Sequence, residues 1–243
     1  MLKELDHIAA SVRHLFYPHV CRSCYREISD REHYICFTCL AELPFTQFAL
    51  SENNPIDKNF YGRVPIEAAM SLLYFTPASI VQNLIHQVKY KGQEKLAIYL
   101  GKLMGRALLS APRFHEIDLI LPLPLFKNRE KQRGYNQSAL LGRGIAEVMG
   151  IPVNEKALKR VKSSSSQTRK SREERWENVE GLFTLSDPDP LENKSILLVD
   201  DVMTTGATVS ACAAKLIKAG ARQVEVLTYA HALREGQGSM TRV

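Results

Sequence analysis

The chain has 243 residues, of which 45% are hydrophobic and 24% charged, and 32 Lys and Arg against 26 Asp and Glu give a net charge of +6. This composition excludes a disordered tail and a fibrous protein, and it is sufficient for one sizeable α/β core with a small additional module. The moderate basic excess suits phosphate-bearing partners but does not identify them.

Residues 1–17 carry apolar side chains at helical spacing and are followed by Pro18. Glu4 and Asp6 interrupt a stretch that a secretory signal would keep free of acidic residues. We therefore predict a short amphipathic helix that packs on the rest of the protein, with a membrane-surface anchor as the alternative. The longest uncharged run, residues 68–88, is broken by a proline and polar residues, so no membrane span is predicted. We expect a soluble, cytoplasmic protein.

Four of the five cysteines form two Cys-x-x-Cys pairs separated by eleven residues. This spacing is typical of a four-thiolate zinc site, and clustered cysteines in a chain without an export signal favour metal over the alternatives of disulfides or free thiols. Four thiolates leave no open coordination position, so the zinc would be structural and its binding would drive folding of the module. The predicted ligands are Cys21, Cys24, Cys36 and Cys39.

The cysteine module also carries cations and aromatic rings, among them Arg22, Tyr25 and Arg26. This combination suits single-stranded nucleic acid, because arginines pair with phosphates while aromatic rings stack on bases. An ordinary solvated surface explains the arginines almost as well.

A first domain is predicted over residues 1–45, followed by a linker over 46–65, a large domain over 66–235 and a tail over 236–243. The large domain alternates apolar strands with helices, which predicts an α/β fold with a mainly parallel sheet and helices on both faces. Strands are predicted at 68–75, 118–123, 153–158, 181–185, 195–200 and 223–230, and helices at 78–88, 94–110, 137–149 and 208–219.

The strand at 195–200 ends in Asp200 and Asp201, and a Thr-Thr-Gly turn then leads into a helix. The amides of such a turn and the helix dipole favour a phosphate, and Gly206 allows close approach of the backbone. Ionised carboxylates accept hydrogen bonds from ribose hydroxyls, so together these residues predict a site for a sugar 5-phosphate. A nucleoside-triphosphatase strand is the main alternative, but the chain lacks the Gly-x-x-x-x-Gly-Lys-Ser/Thr loop that it requires.

Basic residues surround this predicted site in the sequence. Arg129 and Arg133 follow the strand at 118–123, and Lys89 and Lys91 lie near the end of the helix at 78–88. They could hold a diphosphate or extend a surface for nucleic acid.

The segment 196–208 resembles the 5-phosphoribosyl-1-pyrophosphate (PRPP) binding motif of type I phosphoribosyltransferases, and the chain resembles the ComF competence-protein family. The resemblance includes the cysteine module and covers nearly the whole chain. The other matching stretches are Lys89-Tyr90-Lys91-Gly92, Leu96-Ala97, Leu100-Gly101, Leu121-Pro122-Leu123-Pro124-Leu125, Arg129, Arg133-Gly134-Tyr135-Asn136-Gln137, Ser166-Gln167, Arg175 and Asn178.

The resemblance implies a type I phosphoribosyltransferase-like fold and roles for particular residues. Asp200 and Asp201 would hold the ribose hydroxyls, and the Leu123-Pro124 turn, where a cis bond is compatible with proline, would bind pyrophosphate with Mg²⁺. Residues 160–178 would form a mobile loop over the departing pyrophosphate. The 5-phosphate would be held by Thr204, Thr205, Gly206, Ala207 and Thr208, and the candidate catalytic residues are Arg169, Lys170, Arg172 and Arg175.

Two functions follow from the resemblance. The first is a PRPP-binding protein of DNA uptake in natural transformation, whose zinc ribbon contacts single-stranded DNA for a helicase-like partner. The second is an active phosphoribosyltransferase of nucleotide metabolism, with an acceptor pocket formed by residues 66–75 and the linker. The same fold serves both, so fold alone does not separate them.

Overall fold

The computed structural model describes residues 18–30, 33–114, 116–161, 181–186 and 191–232. The chain divides into two compact units, Met1–Leu43 and Pro44–Val243. The expected N-terminal helix and the tail at 236–243 lie outside the described residues.

The first unit has a very small described core. It contains one short helix, α1 (Phe37–Ala41), and an antiparallel bridge between Val20 and Glu27. Its buried apolar side chains are Cys21, Ile35, Cys39 and Leu43. A core of this size is too small to stabilise a fold without a crosslink or a metal ion.

The second unit is built on a parallel sheet of four strands. The strands are β1 (Ala68–Phe75), β2 (Leu119–Pro122), β5 (Ser195–Met203) and β6 (Gln223–Ala232), in the order β1-β6-β5-β2. Strands β5 and β6 are buried along most of their length because both of their faces are covered, as expected in the centre of a parallel sheet. Two short strands, β3 (Leu158–Arg160) and β4 (Phe183–Leu185), form a separate antiparallel pair.

Five helices accompany the strands of the second unit in its described residues: α2 (Ile80–Tyr90), α3 (Glu94–Leu109), α4 (Lys127–Arg133), α5 (Gln137–Met149) and α6 (Ala207–Lys218). Helix α2 begins at Ser79, whose Oγ accepts a hydrogen bond from the amide of Gln82 at 3.2 Å. Helix α5 begins at Asn136, whose side chain accepts from the amide of Ser138 at 3.0 Å. This cap fixes the first turn of α5, which borders the end of β5.

Helices α3 and α5 pack with their backbones in contact. A Cβ on Gly101 would lie 2.2 Å from the carbonyl oxygen of Leu141, and one on Gly144 would lie 2.1 Å from that of Ile98. Both positions therefore require glycine, because any side chain would push the helices apart. This contact holds α5, and with it Gln137 and Ser138, at a fixed place beside the sheet.

Most predicted elements are confirmed, with one wrong strand and one missed helix. Of the strand predicted at 153–158, only Val153 forms a bridge, to Ile120, and β3 begins at Leu158. The side chain of Asn154 accepts from the amides of Lys156 and Ala157, both at 3.0 Å, and so turns the chain away from the sheet. The missed helix is α4, whose residues are mostly charged and whose described side chains are not buried.

The predicted linker at 46–65 is instead a packed part of the second unit. Phe48, Ile56 and Phe60 are all buried. The Asp57 carboxylate accepts from the amide of Ala69 at 2.8 Å, which ties the segment to β1. The sequence of this segment is polar and rich in turn residues, and its apolar side chains are irregularly spaced. Because they show neither a helix nor a strand period, their burial was not predicted. Residues 68–75, expected in an acceptor pocket, form the edge strand β1 of the sheet.

Within the ranges that the structure describes, none of the helices has the length and apolar character needed to cross a bilayer.

Candidate functional site

The two carboxylates near the end of β5 have different surroundings. Asp200 is half-buried, and its Oδ1 accepts from Ser138 Oγ at 3.0 Å and from the amide of Asp201 at 2.8 Å. Burial and the adjacent charge of Asp201 raise the pKa of Asp200 to about 7, although these hydrogen bonds and the Lys89 ammonium oppose the shift. Asp200 is thus a carboxylate whose charge depends on the cations and donors around it.

Asp201 is buried, with 5% of its surface exposed. Its Oδ2 accepts from Gln137 Nε2 and from Lys89 Nζ, both at 2.8 Å, and its Oδ1 accepts from the amide of Val202 at 2.5 Å. A buried carboxylate requires such partners, and here Lys89 supplies the compensating charge.

The turn after β5 has the backbone form that the sequence predicts for an anion site. Gly206 has φ +74° and precedes α6, and no side chain caps the start of that helix. Ala207 donates its amide to Thr205 Oγ1 at 3.5 Å, while Thr204 and Thr205 are exposed and Thr208 is half-buried. The dipole of α6 and the free amides of its first turn together favour the binding of an anion at the start of this helix.

The turn at Leu123-Pro124 lies directly beside β5. The Leu123 amide donates to the Val199 carbonyl at 2.9 Å, and the Leu123 carbonyl accepts from Asn136 Nδ2 at 2.9 Å. No peptide bond in the described ranges is cis, so Leu123-Pro124 is trans. The structure therefore places this turn beside Val199, the residue before Asp200, and its peptide bond is trans.

A cleft of about 430 Å³, which we term the basic cleft, is lined by Lys89, Tyr90, Gly92, Arg129, Gln132 and Arg133. The Arg133 guanidinium lies 5.4 Å from the centre of the Tyr90 ring, and its Nη1 donates to Gln137 Oε1 at 2.8 Å. Lys91 is exposed and does not line the cleft. Three of the four predicted basic residues are thus brought together here.

Gln137 and Ser138 are functional candidates that the sequence analysis did not single out. Gln137 appeared only inside a matching stretch, yet both side chains bind the Asp pair directly. The sequence shows only two polar residues at the start of an amphipathic helix, and the structure shows that both are buried and therefore require partners.

A larger cavity of about 1070 Å³ is lined mainly by the segment from Glu52 to Glu67. Two of its residues also contact the turn after β5. Arg63 Nη1 donates to the Thr205 carbonyl at 3.1 Å, and Phe60 Cε1 lies 3.4 Å from the place a Cβ on Gly206 would occupy. The lining of the cavity also includes Glu67, Glu116 and Gln223, at or just before the N-terminal ends of β1, β2 and β6, so this part of the cavity lies at the opposite edge of the sheet from Asp200 and Asp201.

The four predicted cysteine ligands come together in the first unit. Their Sγ atoms all lie within 4.8 Å of one another, with Cys24 and Cys36 at 3.6 Å, and His19 and His33 are outside the group. Zn–S bonds of about 2.3 Å in a tetrahedron place sulfurs about 3.8 Å apart, so the cluster fits such an ion. All four cysteines are free of disulfides.

Backbone amides support this cluster. Cys21 Sγ accepts from the amides of Cys36 at 3.3 Å and Ser23 at 3.4 Å. Burial alone would raise the pKa of Cys21, but the amides of Cys36, Cys24 and Ser23 lower it to about 7. Amides that stabilise a thiolate in this way are typical of the surroundings of a metal-bound sulfur.

The nucleic-acid candidates of the first unit differ in exposure. Tyr25 is 61% exposed, with a φ of +61°, and Arg26 is exposed as well. Arg22 is half-buried, and its amide donates to the Tyr34 carbonyl at 2.8 Å. Phe37 adds a further aromatic ring, 85% exposed.

The candidate catalytic residues Arg169, Lys170, Arg172 and Arg175 lie outside the described residues.

Residues 136–238 match the phosphoribosyl transferase domain family. Competence protein F of Haemophilus influenzae is 33% identical over 65% of this chain and 70% of its own length. The DNA utilization protein YhgH of Salmonella typhimurium is 30% identical over 85% of this chain and 88% of its own length. Among solved structures, that of the allosteric regulatory enzyme of purine biosynthesis is 19% identical, with a TM-score of 0.42, over 60% of this chain and 30% of that enzyme's length.

Proposed function

Because the chain belongs to the ComF competence-protein family and has a type I phosphoribosyltransferase fold, we propose that it binds PRPP at the end of β5 and acts in DNA uptake. The observation that carries the proposal is the placement of Asp200 and Asp201 beside the uncapped turn at 204–208. The carboxylates offer acceptors to the ribose hydroxyls, while the turn offers amides and a helix dipole to the 5-phosphate.

The neighbouring groups suit the rest of the ligand. The Leu123-Pro124 turn lies beside the carboxylates and would receive the pyrophosphate. Mg²⁺, which prefers carboxylate and phosphate oxygens, would neutralise part of the pyrophosphate charge when bound. The basic cleft, with Lys89, Arg129 and Arg133, is left to hold phosphates of single-stranded nucleic acid.

We propose that the cysteine cluster holds a structural zinc ion and that the surrounding ribbon contacts single-stranded DNA. The tetrahedral fit of the four sulfurs supports the first part. The exposed Tyr25, Arg26 and Phe37 support the second, because they offer a cation and two rings for base stacking. A helicase-like protein of DNA uptake remains the expected partner.

The first test is a thermal shift with PRPP and Mg²⁺. We expect millimolar ligand to raise the melting temperature, since a ligand that binds only the folded state stabilises it. Asp200→Asn with Asp201→Asn should abolish the shift because both ribose acceptors are weakened. Glu52→Gln removes an exposed carboxylate and serves as the control, with the shift retained. Absence of a shift in the wild-type protein would refute PRPP binding.

An active phosphoribosyltransferase is the second candidate function. It is favoured by the contacts of Phe60 and Arg63 with the phosphate turn, because both side chains belong to the segment that the sequence predicts to line an acceptor pocket. A site for an acceptor base or amine is needed in this position if the anomeric carbon is to be attacked while pyrophosphate leaves.

A further inference from the structure

Asp201 is already well supplied with donors before any sugar arrives. Lys89 and Gln137 both donate to its Oδ2, and the amide of Val202 donates to its Oδ1. An ionised carboxylate has about four acceptor positions, so three donors leave little capacity. A ribose hydroxyl that binds at Oδ2 must therefore displace one of the two side chains.

Lys89 is the side chain that can leave. It is 21% exposed on its side chain and carries its charge on a flexible four-carbon stem. Gln137, by contrast, is 3% exposed and is held at both ends, because its Oε1 also accepts from Arg133 at 2.8 Å. Exchange of Lys89 for a hydroxyl costs less than extraction of Gln137 from this chain of hydrogen bonds.

A displaced Lys89 can turn into the basic cleft, because it already lines that cleft. The lining residues include no acidic side chain, and Arg129 and Arg133 make the cleft cationic. Tyr90, on the same surface, is 65% exposed. Several cations around an exposed ring suit a strand of nucleic acid with unpaired bases, which offers phosphates and a base to stack.

We propose that Lys89 couples the two sites: it pairs with Asp201 in the ligand-free protein and, when PRPP occupies Asp201, moves into the basic cleft and binds a phosphate of single-stranded DNA. This proposal rests on the proposed PRPP binding. The hydrogen bonds from Arg133 to Gln137 and from Gln137 to Asp201 also connect the basic cleft with the PRPP site. They hold Arg133 in the cleft while Lys89 moves.

The coupling is positive and reciprocal. PRPP releases one more cation to the cleft, so DNA should bind more tightly in its presence, and DNA should tighten PRPP by the same factor. We expect a factor of about five or more, the lower end of typical couplings between sites.

The test uses the full-length protein and a fluorescent oligothymidylate at fixed salt, titrated with and without saturating PRPP and Mg²⁺. In the wild type, PRPP should tighten oligonucleotide binding about fivefold or more. In Lys89→Met, PRPP should cause no tightening, because no ammonium remains to move from Asp201 into the cleft. Lys91→Met is the matched control: this neighbouring exposed lysine should contribute equally in both states, so tightening persists.

Lys89→Gln provides a second variant, since its neutral amide can still donate to Asp201 if the methionine variant folds poorly. Tightening that survives in either Lys89 variant would overturn the role of this residue. Equal oligonucleotide affinity of the wild type with and without PRPP would overturn the coupling, and so would the absence of oligonucleotide binding in both states. In either case a thermal shift with PRPP would still support the proposed function. No thermal shift would overturn both.

Discussion

At the scale of single residues, the Asp pair at the end of β5 is electrostatically unfavourable without a ligand. Burial and the charge of Asp201 raise the pKa of Asp200 to about 7, well above that of a free aspartate. Only Lys89 is close enough to form an ion pair with Asp201 among the described side chains. The two adjacent buried carboxylates thus lower the stability of the ligand-free protein, and ligand hydroxyls and cations bound to them would raise it again.

This arrangement predicts a pH-dependent stability. A carboxyl whose pKa is raised on folding binds more protons in the folded than in the unfolded state between about pH 4 and pH 7, so the free energy of unfolding falls as pH rises through that window. We expect Asp200→Asn to reduce this fall by about 2 kcal/mol, less than the full shift because the group is half-buried.

Urea unfolding of the ligand-free protein at about pH 5 and about pH 8 checks this prediction. Glu225, whose pKa burial also raises to about 7, contributes to the same window, so the comparison of variant with wild type is what isolates Asp200. An identical pH dependence in Asp200→Asn and wild type would contradict the prediction.

Gly206 is the second residue whose identity the site requires. Its φ of +74° is disfavoured for other residues, and a Cβ there would lie 3.4 Å from Phe60 and 3.6 Å from Met203, so a larger side chain would distort the turn that presents the amides. We expect Gly206→Val to abolish the thermal shift with PRPP. Gly150→Val is the matched control, since Gly150 has φ +71° with nothing within 4 Å of the added Cβ. Both variants should lose about 1–2 kcal/mol of stability from backbone strain, and only the first should lose the ligand response.

At the scale of elements, the cysteine ribbon and the parallel sheet depend on different forces. The sheet is held by burial of the apolar side chains of its central strands, β5 and β6. The ribbon buries few apolar side chains, so its order must come from the proposed metal, which bridges its two Cys-x-x-Cys loops.

We expect one zinc per chain in the purified protein, lost in Cys36→Ser together with the order of residues 18–43. The same variant should bind single-stranded DNA more weakly and with a shallower salt dependence, because fewer phosphates are neutralised. Metal analysis and titrations at two salt concentrations measure both effects. Cys212→Ser, which alters a buried cysteine of α6, is the control and should retain the zinc. Absence of metal in protein prepared under reducing conditions would contradict the prediction.

At the scale of the whole molecule, the open question is whether PRPP is consumed or only bound. Binding without turnover would make PRPP a signal that the protein couples to DNA, whereas turnover requires an acceptor held beside the anomeric carbon of PRPP.

Pyrophosphate release, measured with a panel of bases, ammonia and single-stranded DNA, separates the two. For an enzyme we expect release that depends on an acceptor, and Arg175→Ala should lower its rate while PRPP still raises the melting temperature, since a loop that closes on the leaving group acts mainly in the transition state. For a sensor we expect no release with any acceptor and an unchanged response in Arg175→Ala.

The sequence by itself determined the elements whose signals are local. The strand that carries Asp200 and Asp201 near its end, the turn at Gly206 and the helix after it were predictable, because an apolar run, paired acids and a Thr-Thr-Gly turn are each recognisable over a few residues. The four cysteine positions were predictable for the same reason, since ligand spacing is itself a local property.

Only the tertiary structure decided which side chains meet across the chain. The pairing of Lys89 with Asp201 joins two residues that are far apart in the sequence, and it depends on how α2 packs. The contact of Gln137 with the same carboxylate depends on the close approach of α3 and α5 at Gly101 and Gly144. Residues 46–65 were misread as a linker for a related reason. The polar side chains that fix this segment bind distant backbone groups, as the Asp57 carboxylate binds the amide of Ala69 in β1. No local sequence period reveals such contacts.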